Sequence, residues 1–555
     1  MQAPEIRPVV EGSVMLGTIM DVPLLLSRLI DHAAVHHATT EIVARQVNGS
    51  IVRENWAGLQ KRSKRLAKAL TANGYGLNDC LGSLAWNTVD HLELFYGVLG
   101  IGAGLHTLNP RISHDDLRHM AEKVGTKVVF IDSGTLALAE KLQPLVPHIE
   151  RWIYMDEGEG LPQSSIPGLV TKAAFVEPFD SDFTWPQFDE RQAATICFTS
   201  GTTGRPKGVA YSHRSLTLGA INMTMADMYG NYRPGALECV MPIAAVFHAN
   251  AWMMPFSAPM NGHKLVLVGR AFDSESVIEL IRSEGVTVAG AVPTIWQDLM
   301  QTLRRLDLQV PTLKTGLLAG TRPSLALCKE MNAFGIRVHQ SWGMTEVPGA
   351  AKSTPPPGSL GCDPMYSDQL QHCRQGRIGF LTEVKLLDEQ GEAQPFDGAH
   401  SGHLLVRGPI VAGGYLGDEG DKAEWLDTGD IATIYPDGTL EIVDRSKDVI
   451  KSGGEWISTL QLEAAALSHG ALASAAAISI EHPRWQERPL LLCVLAQGKQ
   501  VEAQELLQHM AATLPKWWLP DEVRFIEKLP LTPTGKVDKM ALRREHAQRA
   551  SQIVF

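Results

Sequence analysis

The chain has 555 residues, 44% hydrophobic and 20% charged, with a formal net charge of −11. That length exceeds one hydrophobic core and predicts several domains or subdomains of ordinary globular composition. The negative balance argues against nucleic acid as a partner, and seven cysteines without CxxC spacing leave no zinc or disulfide framework.

The opening stretch, MQAPEIRPVVEGSVML, carries Glu5 and prolines and lacks the apolar core of a signal peptide. No apolar run reaches transmembrane length, so no integral membrane segment is expected. Reduced thiols in a cytoplasmic enzyme fit the cysteine pattern. Next, NWAGLQKRSKRLAKALTANGYG reads as an amphipathic helix: Trp56, Leu59, Leu66 and Leu70 recur at helical spacing, and Gly74 marks the stop. Its basic run, Lys61 to Lys68, reads as a solvated face. KVVFIDS, TICFTS, KLVLVG and TVAGAVP are short apolar strands, with helical stretches such as SESVIELIRSEG between them. That alternation predicts an α/β fold with largely parallel sheets. STPPPGSLG reads as a surface loop.

After about residue 380, EVKLLDEQGE, GHLLVRGP and TGDIATIYPDGTLEIVDR read as strands with tight turns, Asp437-Gly438 being a hairpin signal. The last hundred residues alternate helix (LQLEAAALSHG) with strand (LLLCVLA, EVRFIE). They predict a small α/β module beginning near Arg445.

The stretch FTSGTTGRPKG, residues 198–208, crowds hydroxyls, glycines and Lys207 into one loop directly after the strand ATICF. Glycine lets backbone N–H groups approach an anion, hydroxyls donate to it, and lysine adds charge. It is not a Walker A loop, because Arg205 and Pro206 separate Gly204 from Lys207. Other stretches follow in fixed order: FHANAW, LLAGTRPS, QSWGMTE, WLDTGD, DRSKDVIKSGGEWIS and PLTPTGKVDK.

This set resembles the adenylate-forming, acyl-activating superfamily over nearly the whole chain, and FHANAW and KSGGEWIS are most similar to medium- and long-chain fatty acyl-CoA synthetases. The resemblance implies a large domain over residues 1–444 with mixed sheets, helices and a β subdomain, and a small mobile α/β domain over 445–555. It implies ATP, Mg2+ and coenzyme A, with a carboxylic acid as substrate; a homodimer is possible. The acid would attack the α-phosphorus of ATP to give an acyl-adenylate and pyrophosphate, and the thiol of CoA would then displace AMP.

The matching residues take their expected roles from the family. Thr199, Ser200, Gly201, Thr202, Thr203, Gly204 and Lys207 would wrap the β- and γ-phosphates. Gly320 belongs to a turn beside adenine, where Thr321 and Arg322 are bulkier than is usual. Trp342, next to Gly343, stands where the family has an adenine-stacking tyrosine and could also shape the acyl pocket. Thr345 would meet the α-phosphate, and Glu346 would ligate Mg2+. Asp430 and Arg445 would hold the ribose. Lys447 marks the hinge. Lys536 would meet the substrate carboxylate and α-phosphate during adenylation, and Lys451 would serve thioester formation. Gly453 and Gly454 would line the pantetheine tunnel. His248 would lie beside the carboxylate, and Trp252 would gate the acyl tunnel.

A medium- or long-chain fatty acid is the substrate this resemblance favours. The alternatives are an aryl, arylpropionic or short thioether acid, and a stand-alone adenylation domain that loads a carrier protein, although no carrier domain follows Phe555. A nucleotide-binding pseudoenzyme is disfavoured, because Lys536, Glu346 and the phosphate loop are intact.

Overall fold

The computed structural model describes residues 17–155, 158, 160–199, 205–224, 237–270, 272–347, 352–353, 374–418, 423–453, 455–532 and 536–546. Most of STPPPGSLG lies outside them.

Helix Trp56–Ala72 shows why the local signals succeed. The Asn55 side chain caps it by accepting the Gly58 N–H at 2.8 Å. Trp56, Leu59, Leu66 and Leu70 are buried on one face, and Gly74, at φ +85°, follows its end. The helix packs on Val89–Gly100, every residue of which is buried. Its basic run is only partly a solvated face: Lys61 is exposed, but its neighbours reach other elements. Arg62 pairs with Asp90 at 2.6 Å, and Lys68 with Asp180 at 2.5 Å. The Arg65 guanidinium donates to the carbonyls of Val176, Glu177 and Phe179. Buried Lys172 also meets Asp90 and Glu93, so these charges tie the helix to neighbouring elements. Periodicity could not show that, because the partners are distant in sequence.

Four sheets occur among the described residues. The first runs Arg337–Gln340, Thr315–Leu318, Val288–Ala291, Cys239–Pro242, Lys264–Leu267, Glu41–Arg45, Ile51–Asn55 in spatial order. It is parallel except for its final pair. The second runs Val170–Thr171, Arg151–Tyr154, Val128–Ile131, Cys80–Leu84, Gly104–Thr107, Ala193–Phe198, Gly208–Ser212. Only its last pair is antiparallel. One core joins the facing sides of both sheets with the two helices between them: Ile42 and Leu265 from the first, Leu81 and Phe130 from the second. Helices Ser274–Glu284 and Pro293–Arg305 cover the outer face of the first sheet, and His114–Val124 and Leu136–Leu142 that of the second. Strands buried on both faces read as continuous apolar runs, as these do.

The third sheet is antiparallel and includes Glu383–Leu387, Ser401–Arg407, Leu426–Ile434 and Thr439–Arg445. Asp437-Gly438 makes the turn between the last two, with Gly438 at φ +79°. The chain then enters a fourth sheet at Ile450–Ser452, built mainly from Leu472–His482 and Gln486–Leu495, with Glu522–Phe525 added in parallel. Helix Thr459–Leu467 packs on it. The architecture is thus α/β, with a large multi-sheet N-terminal part and a small C-terminal one. No described helix is long and apolar enough to cross a membrane.

Candidate active site

The site gathers where parallel strands of the first sheet end. Ligands of α/β proteins bind beyond the carboxyl ends of such strands, where loops splay and backbone groups are free. Cys239–Pro242 leads to His248, Thr315–Leu318 to Gly320, and Arg337–Gln340 to the loop from Trp342 to Glu346. The third sheet supplies the opposite wall, where Asp430 and Arg445 are direct cross-strand partners. Register therefore places a carboxylate and a guanidinium side by side, 2.9 Å apart.

Asp430 is buried, and burial pushes its carboxyl above the ordinary range, opposed by the Arg445 charge and the Trp342 hydrogen bond. Each oxygen has a partner: Arg445 at Oδ1, and the Trp342 indole N–H at Oδ2, 2.8 Å away. Trp342 thus has a role that stacking alone did not suggest: a tryptophan at that position carries a donor to the carboxylate. Trp342→Phe keeps an aromatic face and loses that donor. We expect a rise in the KM for ATP of about 10-fold, from ~1.5 kcal/mol for a hydrogen bond to a charged group, with the KM for the acid nearly unchanged. Steady-state kinetics in both substrates checks this; a rise confined to the acid would place Trp342 in the acyl wall instead.

Lys536 reaches this site from the C-terminal part. A Cβ on Gly320 would lie 3.5 Å from Lys536 Cε and 3.9 Å from Nζ, and Gly320 is at φ +95°. Glycine here both allows the turn and admits the lysine. Burial, then the charge of Arg445, lowers the Lys536 ammonium to about 8, with Asp430 pulling the other way. His248 is brought to about 4 by burial and by the positive charge of Lys536, so it is neutral at pH 7. Lys536, His248, Gly320, Asp430 and Arg445 therefore form one cluster.

Lys451 is not part of that cluster. Its ammonium pairs with Glu389 at 2.7 Å and its N–H with Glu487 at 2.8 Å. Gly453, at φ +62°, faces the Trp485 ring, which a Cβ there would approach to 2.9 Å. Exposed Lys447 lies in the link between the third and fourth sheets.

The stretch FTSGTTGRPKG closes an antiparallel hairpin, Phe198 opposite Gly208, and leads into a strand. Its base is fixed reciprocally: the Thr199 N–H donates to the Lys207 carbonyl at 2.9 Å, and the Lys207 N–H to Thr199 Oγ1 at 3.2 Å. Ser200, Gly201, Thr202, Thr203, Gly204 and Gly454 lie outside the described residues. Thr345 and Glu346 are buried, and two tyrosines absent from the motif reading hold them. Tyr211 donates to the Thr345 carbonyl, and Tyr415 to Glu346 Oε1, each at 2.5 Å. Among the described residues no three His, Cys, Asp or Glu side chains converge on one point. A single carboxylate with phosphate oxygens and water suits hard Mg2+, so Glu346 fits that ion.

Trp252 packs against Gly290, where a Cβ would lie 3.1 Å from the indole and 2.8 Å from Met254 Cε. The turn carrying it is strained: Asn250, Trp252 and Met253 have φ of +40°, +55° and +64°. Thr195 helps hold it by donating to Asn250 Oδ1 at 2.5 Å. Strain of this kind concentrates where a side chain must be aimed.

The AMP-binding enzyme family matches residues 30–416, and the AMP-binding enzyme C-terminal domain matches residues 461–536. A 3-methylmercaptopropionyl-CoA ligase of Ruegeria lacuscaerulensis is 39% identical over 535 residues, 96% of this chain and 99% of that one. A medium-chain-fatty-acid–CoA ligase of Ectopseudomonas oleovorans is 36% identical over 537 residues, 96% and 98% of the two chains. The crystal structure of the anthranilate CoA ligase AuaEII with anthranoyl-AMP shares the fold at a TM-score of 0.82 and 20% identity, covering 96% of this chain and 99% of its own. The chain belongs to the AMP-binding enzyme family, among its AMP-forming acid:CoA ligases, which use ATP, Mg2+ and CoA.

Proposed function

We propose that this ligase activates an unbranched short- to medium-chain acid whose tail is alkyl or thioether, using residues 1–444 as the ATP- and acyl-binding domain and 445–555 as the mobile one. The observation that carries the reading of the site is the approach of Lys536 to Gly320, beside His248 and the Asp430–Arg445 pair. Two anions must meet during adenylation, and a fixed cation stabilises the charge that develops between them. Thr199 and Lys207 face the outer phosphates, Thr345 the α-phosphate, and Asp430 with Arg445 the ribose. Trp342 offers its ring to adenine. Bound at Glu346, Mg2+ would neutralise phosphate charge. Lys451, Gly453 and Gly454 serve the thioester half after rotation about Lys447.

The tail reading rests on two supports. Two relatives act, by name, on a short thioether acid, 3-methylmercaptopropionate, and on medium-chain fatty acids. Trp252 and Met254, seated against Gly290, give an apolar wall that adapts to alkyl and thioether chains alike. Pyrophosphate release over straight-chain acids from acetate to palmitate, 3-(methylthio)propionate and aryl acids tests it. Each methylene should raise kcat/KM about fourfold, from ~0.8 kcal/mol per buried CH2, until the pocket ends. Trp252→Ala should blunt discrimination between neighbouring lengths and leave the KM for ATP alone. A flat profile with an aryl acid preferred would overturn the tail reading.

A further inference from the structure

The segment Ala412–Leu416 lies in none of the motifs, yet it touches both halves of the phosphate site. The Ala412 N–H donates to the Glu346 carbonyl at 2.8 Å, and the Leu416 N–H to the Gly208 carbonyl at 2.8 Å. Between these two anchors stands half-buried Tyr415. Its hydroxyl donates to Glu346 Oε1 at 2.5 Å. Its ring carries the Lys207 ammonium 4.6 Å from the centroid. Its own N–H is tied to Asp418 at 3.1 Å. One aromatic side chain therefore spans from the lysine of the phosphate loop to the buried carboxylate.

Each contact has a chemical consequence. A carboxylate turns freely unless something holds one oxygen; a phenol bound at Oε1 fixes that rotation and leaves Oε2 to a hard cation. Outer partners of this kind orient a metal's ligand and shape its affinity. The ring face attracts an ammonium without neutralising it, so Lys207 keeps its charge for an anion. The same residue thus sets the positions of a cationic and an anionic group that act on one ligand.

We propose that Tyr415 is a positioning residue for the metal–pyrophosphate half of the site: its hydroxyl aims Glu346 at the divalent cation, and its ring holds Lys207 toward the phosphates. This rests on Glu346 being the metal ligand. The test compares Tyr415→Phe with Glu346→Gln by water-proton relaxation, titrating MnCl2 into protein with α,β-methylene-ATP. Tyr415→Phe preserves the ring and should weaken Mn2+ retention about 10-fold, the lower end for loss of a metal ligand's outer partner. It should raise the Mg2+ concentration for half-maximal pyrophosphate release by a similar factor and spare the KM for the acid. Its melting temperature serves as the check on folding. Tyr415→Ala should in addition raise the KM for ATP, because Lys207 loses its seat. Wild-type Mn2+ retention in Tyr415→Phe, with retention lost in Glu346→Gln, would refute the role of Tyr415 alone. Unchanged retention in Glu346→Gln would overturn the metal assignment and this proposal with it.

Discussion

Lys536→Ala is expected to lose acyl-adenylate formation by about 10²-fold or more, the scale for removing an oriented electrostatic donor, while still converting a supplied acyl-adenylate to thioester. Lys451→Ala is expected to do the reverse. The geometry motivates the split: Lys536 stands at Gly320 among His248, Asp430 and Arg445, whereas Lys451 is engaged by Glu389 outside that cluster. Pyrophosphate exchange reads the first half-reaction, and CoA-dependent release of AMP from a synthetic adenylate reads the second. Equal damage to both halves by each variant would reject the assignment. A pH signature accompanies it. Burial and Arg445 lower Lys536 to about 8. The lysine carries its charge below that value and loses it above. The kcat/KM of adenylation should therefore fall as pH rises through about 8, and Lys536→Ala should lack that limb.

Lys447→Pro is expected to preserve adenylation and cut thioester formation by about 10²-fold, the scale on which slight misplacement of reacting groups acts. Proline fixes φ near −65° and removes an N–H donor, so a residue that must adopt two backbone conformations is held in one. Adenylation should survive because Lys536 already lies against Gly320, beside Asp430 and Arg445, in this structure. Several contacts hold that arrangement around the link. Asp444 accepts the Thr459 N–H at 2.5 Å and its hydroxyl at 2.7 Å. Arg543 pairs with Asp448 at 2.7 Å, and Lys451 with Glu389 at 2.7 Å. Single-turnover measurement of each half-reaction is the check; wild-type thioester formation in Lys447→Pro would place the hinge elsewhere.

Much of this protein is written locally. The period of Trp56, Leu59, Leu66 and Leu70, the Asn55 cap and Gly74 act within a few residues of one another, so the helix is legible without its partners. The same holds for the doubly buried strands and the Asp437-Gly438 turn. Tertiary structure alone decided what depends on approach across the chain. It set Trp342 beside Asp430, and Tyr415 beside both Glu346 and Lys207. It tied the basic run of the first long helix to Asp90 and Asp180 of other elements. It also placed Lys536 in the site and Lys451 outside it. Hydrogen bonds and charge pairs act over a few ångströms, while these partners lie tens to hundreds of residues apart. No local pattern encodes such a distance; only the stacking of sheets and the register of Asp430 opposite Arg445 bring the groups within reach.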